Sequence, residues 1–186
     1  MKFETQRLVL RDWKIEDAED LFKVASDADV ALPCGWKPHE NIEECKHIIK
    51  DMFLTDPYTY AVCLKENNIA IGCIAIIPQN ISRLNLKNEN EVELGCWIGK
   101  EFWGRGLMVE AMNVLIDFAF NELNVENIYC GYSDGNSKSK RLQEKCGFVH
   151  LYTEEAHLYK TLNEIRIHHV NILTKDSWRK NGNYKK

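Results

Sequence analysis

From Tyr58 to Ile98 apolar residues recur at every second position, in three runs separated by short polar segments. The runs are TYAVCLK, IAIGCIAII and EVELGCWI, with breaks at residues 66–68 and 82–90. Alternation of this kind is typical of β-strands, and short polar breaks are typical of hairpins. The segment therefore predicts three successive antiparallel strands.

The segment after residue 106 changes to a helical period. Its polar residues recur at spacings of 3, 4 and 4, and the positions between them are apolar. This pattern predicts a helix packed deep against a sheet, with one narrow polar stripe. The stripe consists of Glu110, Asn113, Asp117 and Asn121.

Shorter patterns complete the order of elements. Residues 5–12 predict an opening strand, and one-sided apolar spacing predicts helices at 15–26 and 38–56 with a break between them. The second half predicts a strand at 127–132, a basic helix at 137–145, a strand pair at 148–156 and 165–173, and a solvated tail from Lys175. The expected fold class is α+β, with a single mixed, mostly antiparallel twisted sheet of about seven strands and about four helices.

Length and charge narrow the classes of protein that the chain fits. A length of 186 residues favours one domain, expected at 1–178 with a basic C-terminal tail at 179–186. The net charge of −4 disfavours a protein that binds nucleic acid through phosphate contacts. The longest apolar run, Ile69 to Ile77, is far shorter than the ~18 residues of a membrane helix, so we expect no membrane partner.

The cysteines point to a reducing compartment. There are 7 of them, an odd number without a CxxC pair, and most lie in apolar runs. We interpret them as reduced thiols of a cytoplasmic protein, and we expect no bound metal.

The first candidate for an anion site is the turn GKEFWGRGLM at 99–108. Such a turn at the start of a helix directs several backbone N–H groups, and the positive end of the helix dipole, towards one point. Gly104 and Gly106 permit the dihedral angles and the close backbone approach that binding requires. The motif is weak by itself, because most neighbouring glycines only form turns.

The second candidate is the basic segment NSKSKRLQEKCGF at 136–148. An exposed helix face would explain its charges without any ligand. If this segment and the glycine turn lie at neighbouring strand ends, the two together predict a site for a multiply phosphorylated cofactor.

Glu93 is the candidate proton acceptor. Glu91, Glu93 and Trp97 alternate along EVELGCWI and therefore share one face of the predicted strand. A solvated face would explain the two carboxylates, whereas Trp97 favours a partly enclosed groove. In such a groove Glu93 would take a proton directly or through water.

These motifs, taken in order, resemble a known family. The run ELGCWIGKEFWGRGLMVEAM followed by NSKSKRLQEKCGF resembles the cofactor-binding half of the GNAT N-acetyltransferase superfamily. The opening ETQRLVLRDWKIEDAEDLF and the closing ILTKDSW are similar to its RimJ/RimL-like branch, which acetylates ribosomal-protein N-termini. The resemblance covers residues 4–178 and implies the acyl-CoA N-acyltransferase fold, with acetyl-CoA as co-substrate and an amine as acceptor.

The resemblance also implies roles for particular residues. The amides of 103–108 hold the pyrophosphate, and the strands at 91–98 and 127–132 separate so that the pantetheine arm pairs between them. Asn136 contacts that arm, and Ser139 lies near the thioester sulfur. The expected cofactor-binding residues are Cys96, Trp97, Ile98, Trp103, Gly104, Arg105, Gly106, Leu107, Met108, Asn136, Ser139, Lys140 and Lys145.

Two residues depart from the family pattern. Met108 replaces the usual glycine or alanine and puts bulk where the helix approaches the pyrophosphate. Gln143 stands where many relatives have a tyrosine acid, and its amide has no proton to give at neutral pH. Ser139 or a water would then protonate the departing thiolate. These departures keep a non-catalytic CoA-binding module open as an alternative.

The expected reaction is direct transfer in a ternary complex, with Glu93 and Ser139 as catalytic residues. Cys96 shares its face with apolar neighbours, so we expect a buried, unreactive thiol rather than an acyl-enzyme. An α-amine is ~10–20% neutral at pH 7 and lysine less than ~0.1%, which favours a protein N-terminus as acceptor.

Other acceptors and partners stay open. A polyamine or an aminoglycoside would also suit the surplus of acidic residues. The loop at 32–39 lies where the family has its acceptor groove, so Trp36 and His39 are the candidates for binding the substrate. A Trp that only packs and a His that is only exposed would explain the same residues. The sequence leaves a homodimer open.

Overall fold

The computed structural model describes residues 1–180. Its strands are β1 (Lys2–Glu4), β2 (Leu8–Asp12), β3 (Thr59–Leu64), β4 (Ala70–Pro78), β5 (Glu91–Ile98), β6 (Asn127–Ser133), β7 (Val149–Tyr159) and β8 (Glu164–Thr174). Its α-helices are α1 (Ala18–Ala25), α2 (Ala28–Ala31), α3 (Ile42–Ile48), α4 (Leu107–Glu122), α5 (Ser137–Lys145) and α6 (Lys175–Trp178). Short 3-10 turns occupy Ile15–Asp17, Leu32–Cys34 and Lys100–Phe102, and a π-helical turn, Ile49–Phe53, continues α3.

The strands form one mixed sheet in the order β1-β2-β3-β4-β5-β6-β8-β7. This confirms the α+β class and the single mixed sheet, with 8 strands where about seven were predicted. The pair β5–β6 is parallel, whereas β1–β2, β2–β3, β3–β4 and β6–β8 are antiparallel.

Several segments differ from the sequence prediction; the helix predicted at 38–56, for example, is α3 with its π-helical turn, at residues 42–53. Three of the differences have a clear local cause. The predicted strand at 5–12 begins only at Leu8, because residues 5–8 form a turn. Thr5 N donates to the Leu8 carbonyl (2.9 Å), and Leu8 N donates to the Thr5 hydroxyl oxygen (2.9 Å). An additional strand, β1, precedes that turn. The predicted break at 27–35 contains α2, which begins where the Asp27 carboxylate accepts the N–H of Asp29.

The third difference is the predicted tail. Residues from Lys175 form α6 rather than a solvated segment, because the Thr174 hydroxyl caps the helix at Ser177 N and Trp178 is buried. The Trp178 ring lies 5.2 Å from that of Phe120. Of the predicted tail at 179–186, Arg179 and Lys180 are exposed, and 181–186 lie outside the described residues.

The contacts divide the chain into two compact units. The first unit comprises 1–75, 96–114 and 159–164. Its core packs α1 and α3 on β2 and β3, with Trp13, Leu21, Cys45 and Ile49 fully or almost fully buried. In β4, Gly72 allows the backbone of Trp97 to approach, since a Cβ there would lie 2.4 Å from its carbonyl oxygen.

The second unit comprises 76–95, 115–158 and the described part of 165–186. Here β6 lies between β5 and β8, in register Glu91 with Asn127 on one side and Asn127 with Thr174 on the other. Leu84, Leu86 and Val170 form a small core cluster against the rings of Tyr129 and Tyr152.

Within residues 1–180, no helix is both long enough and apolar enough to cross a membrane. The same residues contain no group of three or more His, Cys, Asp or Glu side chains arranged to hold a metal ion. All 7 cysteines are free thiols.

Candidate active site

The glycine turn of the first unit leads from β5 into α4. Gly99 N donates to the Ile71 carbonyl (2.9 Å), and the indole Nε1 of Trp103 donates to the Ile98 carbonyl (2.9 Å). These two hydrogen bonds hold the backbone in place where the chain leaves β5. Gly104 and Gly106 then take left-handed dihedrals, with φ of 75° and 74°. L-residues adopt this region at a cost, which explains the two glycines.

The amides of this turn face no protein acceptor. Within residues 1–180, the N–H groups of Gly104 through Met108 have no hydrogen-bond partner. The first N–H groups of any helix lack intrahelical acceptors, and α4 is 16 residues long. A Cβ on Gly104 would meet no atom of residues 1–180 within 4 Å, so these residues leave the space above the turn open. The turn is therefore a cluster of exposed donors at the positive end of a long helix.

The Glu110 carboxylate, in the first turn of α4, forms an ion pair with Arg7. Glu110 accepts hydrogen bonds from Arg7 Nε (2.8 Å), Arg7 N (2.9 Å) and the Thr5 hydroxyl, and Arg7 Nη1 donates to the Arg105 carbonyl (3.0 Å). Burial alone would raise the pKa of Glu110, but the hydrogen bonds from Thr5 and Arg7 hold it below its usual value. Sequence reasoning missed Arg7 and treated Glu110 only as part of a polar stripe.

Side chains leave the turn accessible. Met108 is 5% exposed, so its side chain lies in the core and does not fill the space above the turn; the expected obstruction was wrong. Leu107 is buried as well, and the exposed Arg105 guanidinium lies 5.6 Å from the Phe102 ring centroid. Lys100, a further cation near the turn, is paired with Asp29.

The predicted acceptor residues of the first unit lie in an aromatic cluster. Trp36 is partly buried, 5.9 Å from the ring of Trp97 and 5.2 Å from that of His39. His39 Nδ1 is 3.2 Å from the Cys45 sulfur, and burial lowers the pKa of His39, so its ring is neutral at pH 7. The loop is held by the Thr161 hydroxyl, which donates to the Gly35 carbonyl (2.6 Å).

In the second unit the parallel pair β5–β6 is short. Its register comprises Glu91–Asn127, Val92–Ile128 and Glu93–Tyr129, and both strands continue beyond it. Among the described residues of this unit, Leu94 and Gly95 have no partner in β6. The register between β5 and β6 within this unit therefore runs as far as Glu93 and Tyr129.

Glu93 and Glu91 both have structural partners. Glu93 Oε2 accepts the Ser82 hydroxyl (2.7 Å) and Arg83 N (3.2 Å), and Glu93 is half-buried. Glu91 is 6% exposed and accepts Lys87 N and Asn88 Nδ2, so the solvated face considered for it was wrong. Each carboxylate holds part of the loop between β4 and β5.

The basic helix α5 places its first residues beside a cavity. Asn136 Oδ1 accepts Ser139 N (3.1 Å) and caps the helix. A cavity of about 450 Å³ within this unit includes Asn136 and Lys140 in its lining, whereas Lys145 is exposed on the helix surface. Gln143 is fully buried and donates to Ser139 Oγ (3.0 Å).

The structure groups the predicted residues by unit. The first unit contains residues 96–98, 103–108, Trp36 and His39, and the second contains Glu93, Asn136, Ser139, Lys140 and Lys145. Cys96 is half-buried rather than buried as expected. Burial raises the pKa of Cys63 to about 11 and of Cys73 to about 12, so those thiols stay protonated at neutral pH.

Comparison with known proteins identifies the class. The model of the acetyltransferase (GNAT) domain family matches residues 7–149, more than half of the chain. The chain therefore belongs to the GNAT acetyltransferase family and is an acetyl-transferring enzyme.

Two proteins similar in sequence and one similar in structure are examples of its relatives. An N-acetyltransferase named p20 from Bacillus licheniformis is 28% identical over 150 residues, 77% of this chain and 80% of that protein. A Bacillus subtilis protein whose name describes a ribosomal N-acetyltransferase, YdaF, is 36% identical over 77 residues, 41% of this chain and 40% of the relative, in agreement with the RimJ/RimL-like branch. The structure of spermidine N-acetyltransferase from Vibrio cholerae with CoA and spermine superposes with a TM-score of 0.74 at 19% identity, over 94% of this chain and 99% of that one.

Proposed function

We propose that residues 1–178 act as one acetyltransferase domain, which transfers the acetyl group of acetyl-CoA directly to the α-amine of a protein N-terminus. The attacking nitrogen forms a bond to the acetyl carbon, the carbon–sulfur bond breaks, and the amine loses the proton that the thiolate gains. Metal ions take no part in this proposal.

The observation that supports the cofactor assignment is the row of amides from Gly104 to Met108. A pyrophosphate needs several donors that converge on it, and this turn offers five N–H groups with no acceptor within residues 1–180. The open space above Gly104 and the buried side chain of Met108 let the phosphates reach the backbone. The residues present therefore fit the diphosphate of CoA.

The remaining cofactor contacts are assigned residue by residue. The backbone of Cys96, Trp97 and Ile98 and the Asn136 amide would bind the pantetheine arm. Asn136 uses Oδ1 for the helix cap, so its NH₂ group is the part offered to the ligand. Lys140 and Lys145 on α5 would add charge to the nucleotide end.

The acceptor assignment rests on the strength of the available base. The candidate base is the carboxylate of Glu93, which accepts two hydrogen bonds, and carboxylates are weak bases compared with amines. A modest base suffices for an α-amine, of which ~10–20% is neutral at pH 7, but not for lysine. Glu93 would pass the proton through a water, and Trp36 with neutral His39 would form the apolar wall of the acceptor site.

Calorimetry of the full chain with CoA and acetyl-CoA tests the cofactor assignment. We expect both ligands to bind, and Gly106→Ala to weaken both. If CoA does not bind the folded wild-type chain, the proposed function is wrong.

A panel of acceptors tests the reaction. Thiol release from acetyl-CoA should be fastest with unblocked peptides, and mass spectrometry should locate the acetyl group on the α-amine. The second candidate, a polyamine acceptor, is suggested by the spermidine N-acetyltransferase of similar fold; faster turnover of spermidine would select it. Binding of CoA without turnover of any amine would instead favour the non-catalytic module.

A further inference from the structure

A chain of three polar side chains connects β8 to α5 inside the second unit. Asn171 Nδ2 donates to Gln143 Oε1 (2.9 Å), and Gln143 Nε2 donates both to the Gly131 carbonyl (3.3 Å) and to Ser139 Oγ (3.0 Å). Gln143 is fully buried and Asn171 is 3% exposed, whereas Ser139 is half-exposed. The network therefore runs from the core to a hydroxyl at the surface of α5.

Each donor in this network has a fixed direction. The Gly131 carbonyl can only accept, so the NH₂ end of Gln143 must face it, and Oε1 must face Asn171. The second N–H of Gln143 then points at Ser139 Oγ, which has to act as the acceptor. Rotating the Gln143 amide would place two acceptors against each other at Gly131 and two donors against each other at Asn171.

This arrangement leaves the hydroxyl proton of Ser139 available for donation. Since its oxygen accepts from Gln143, its O–H is directed elsewhere, and within residues 1–180 it donates to no group. Among the described residues, the buried Asn171 Oδ1 accepts no hydrogen bond, so this amide enters the network only as a donor to Gln143.

We infer that Gln143 and Asn171 are positioning residues that orient Ser139 as a hydrogen-bond donor to the sulfur as the carbon–sulfur bond breaks. The inference rests on the proposed function, which brings the thioester sulfur to Ser139. The electron pair of the broken bond goes to sulfur, and Ser139 stabilises it without losing its own proton. The proton that neutralises the thiolate is the one that the attacking amine releases.

Gln143→Glu tests this inference because it keeps the shape and reverses the hydrogen bond. An ionised carboxylate can only accept, so the Ser139 O–H would turn towards it and away from the sulfur. We expect kcat to fall roughly 100–1,000-fold at pH 8, as for the loss of one transition-state donor, with CoA affinity unchanged. Burial raises the pKa of a carboxyl, so the deficit relative to wild type should shrink as the pH is lowered and the carboxyl becomes a donor again.

Two further variants separate positioning from folding. In the Ser139→Ala background, Gln143→Glu should cause little additional loss, because the donor that it misdirects is already absent. Gln79→Glu is the matched control, since Gln79 Nε2 also donates to a backbone carbonyl, that of Leu86 (3.3 Å), and kcat should be retained. If Gln143→Glu does not fold, Asn171→Ala should still lower kcat several-fold at constant KM.

Independent, additive losses from Ser139→Ala and Gln143→Glu, or a loss in Gln143→Glu that does not change with pH, would overturn the inference. Failure of the proposed function would look different, because the wild-type chain would then bind no CoA or acetylate no amine.

Discussion

Arg7 binds Glu110 through two nitrogens, with Nε 2.8 Å and Nη2 2.7 Å from Oε2, although the residues are 103 positions apart in the sequence. The same guanidinium donates to the Arg105 carbonyl (3.0 Å). In a trans peptide the C=O and the following N–H point in opposite directions. Arg7 therefore turns the N–H of Gly106 away from itself, towards the open side of the turn, and cancels the charge of Glu110 near the proposed phosphates.

Replacing Arg7 should weaken CoA binding without removing any direct contact to the cofactor. Arg7→Ala frees the Arg105–Gly106 peptide and leaves the Glu110 carboxylate uncompensated at the start of α4. We expect the Kd for CoA to rise about tenfold, or ~1.4 kcal/mol, just below the ~1.5–3 kcal/mol of a hydrogen bond to a charged group. Because part of this loss is repulsion between the Glu110 carboxylate and the phosphates, calorimetry should show a smaller effect at high salt.

The charge contribution can be separated with a second substitution. Adding Glu110→Gln to Arg7→Ala removes the repulsion and should restore part of the affinity. Lys46→Ala is the control, since Lys46 forms a surface pair with Glu43 on α3, and such pairs contribute little. Unchanged CoA affinity in Arg7→Ala would show that the hydrogen bonds of Arg7 to Glu110 and to the Arg105 carbonyl do not orient the turn.

Gly106→Ala should affect binding more than folding. Among residues 1–180, a Cβ at Gly106 would meet only Arg7 Nη2, at 3.8 Å, so the cost to the folded chain is the left-handed dihedral, about 1–2 kcal/mol. The same methyl group lies on the turn that we assign to the pyrophosphate, so CoA affinity should fall at least tenfold. Gly147→Ala carries a similar strain, at φ 88°, and should lower the melting temperature while leaving the Kd for CoA unchanged.

Local chemistry made much of this fold predictable. The helix at 137–145 was predicted to the residue, because Asn136 caps it and the left-handed Gly147 follows its end. The buried face of α4 was correct for the same kind of reason, as Met112 and Leu115 are inaccessible and Asp117 is exposed. Periodicity also gave the strands from β3 to β5 within one or two residues.

Contacts distant in sequence were not predictable. The sequence around Thr5 has the alternation of a strand. The chain turns there because the Thr5 hydroxyl donates to Glu110 and accepts from Leu8 N, contacts that the alternation does not predict. The Gln143–Asn171 hydrogen bond joins residues 28 apart, and neither position has a hydropathy signal of its own. For the candidate site, the sequence motifs therefore named the turn and α5. They did not name Arg7 or Asn171, and they gave Gln143 no orienting role.

Glu93→Gln should change the pH dependence of catalysis while keeping the loop in place. The amide oxygen of glutamine can still accept the Ser82 hydroxyl and Arg83 N, so the loop at 82–83 keeps its anchor. We expect kcat/KM for an N-terminal peptide to fall about 100-fold and the acidic limb of its pH profile to disappear, as for loss of a general base. Ser82→Ala, which removes one anchor but no base, should leave that limb intact; an unaltered profile in Glu93→Gln would exclude Glu93 as the base.

His168 should make the folded state sensitive to mild acid. Its ring is 8% exposed, stacks on His157 with 4.4 Å between centroids, and fills the space beside Gly131, where a Cβ would lie 2.2 Å from Nε2. Burial lowers the pKa of His168 to about 4, with a further decrease from His157 and His169 and an opposing effect of Glu154. Between pH 6.5 and 4 the unfolded chain therefore binds the proton more readily than the folded chain. The stability that neutral His168 provides is complete at pH 7 and is lost as the pH falls, by at most ~1.4 kcal/mol per pH unit.

Urea titrations at pH 7 and pH 5 should show this loss of folding stability in the wild type and a smaller one in His168→Phe, which keeps an aromatic ring but cannot titrate. His47→Asn, at an exposed histidine on α3, should retain the wild-type pH dependence, and an equal loss in His168→Phe would assign the acid sensitivity to other groups.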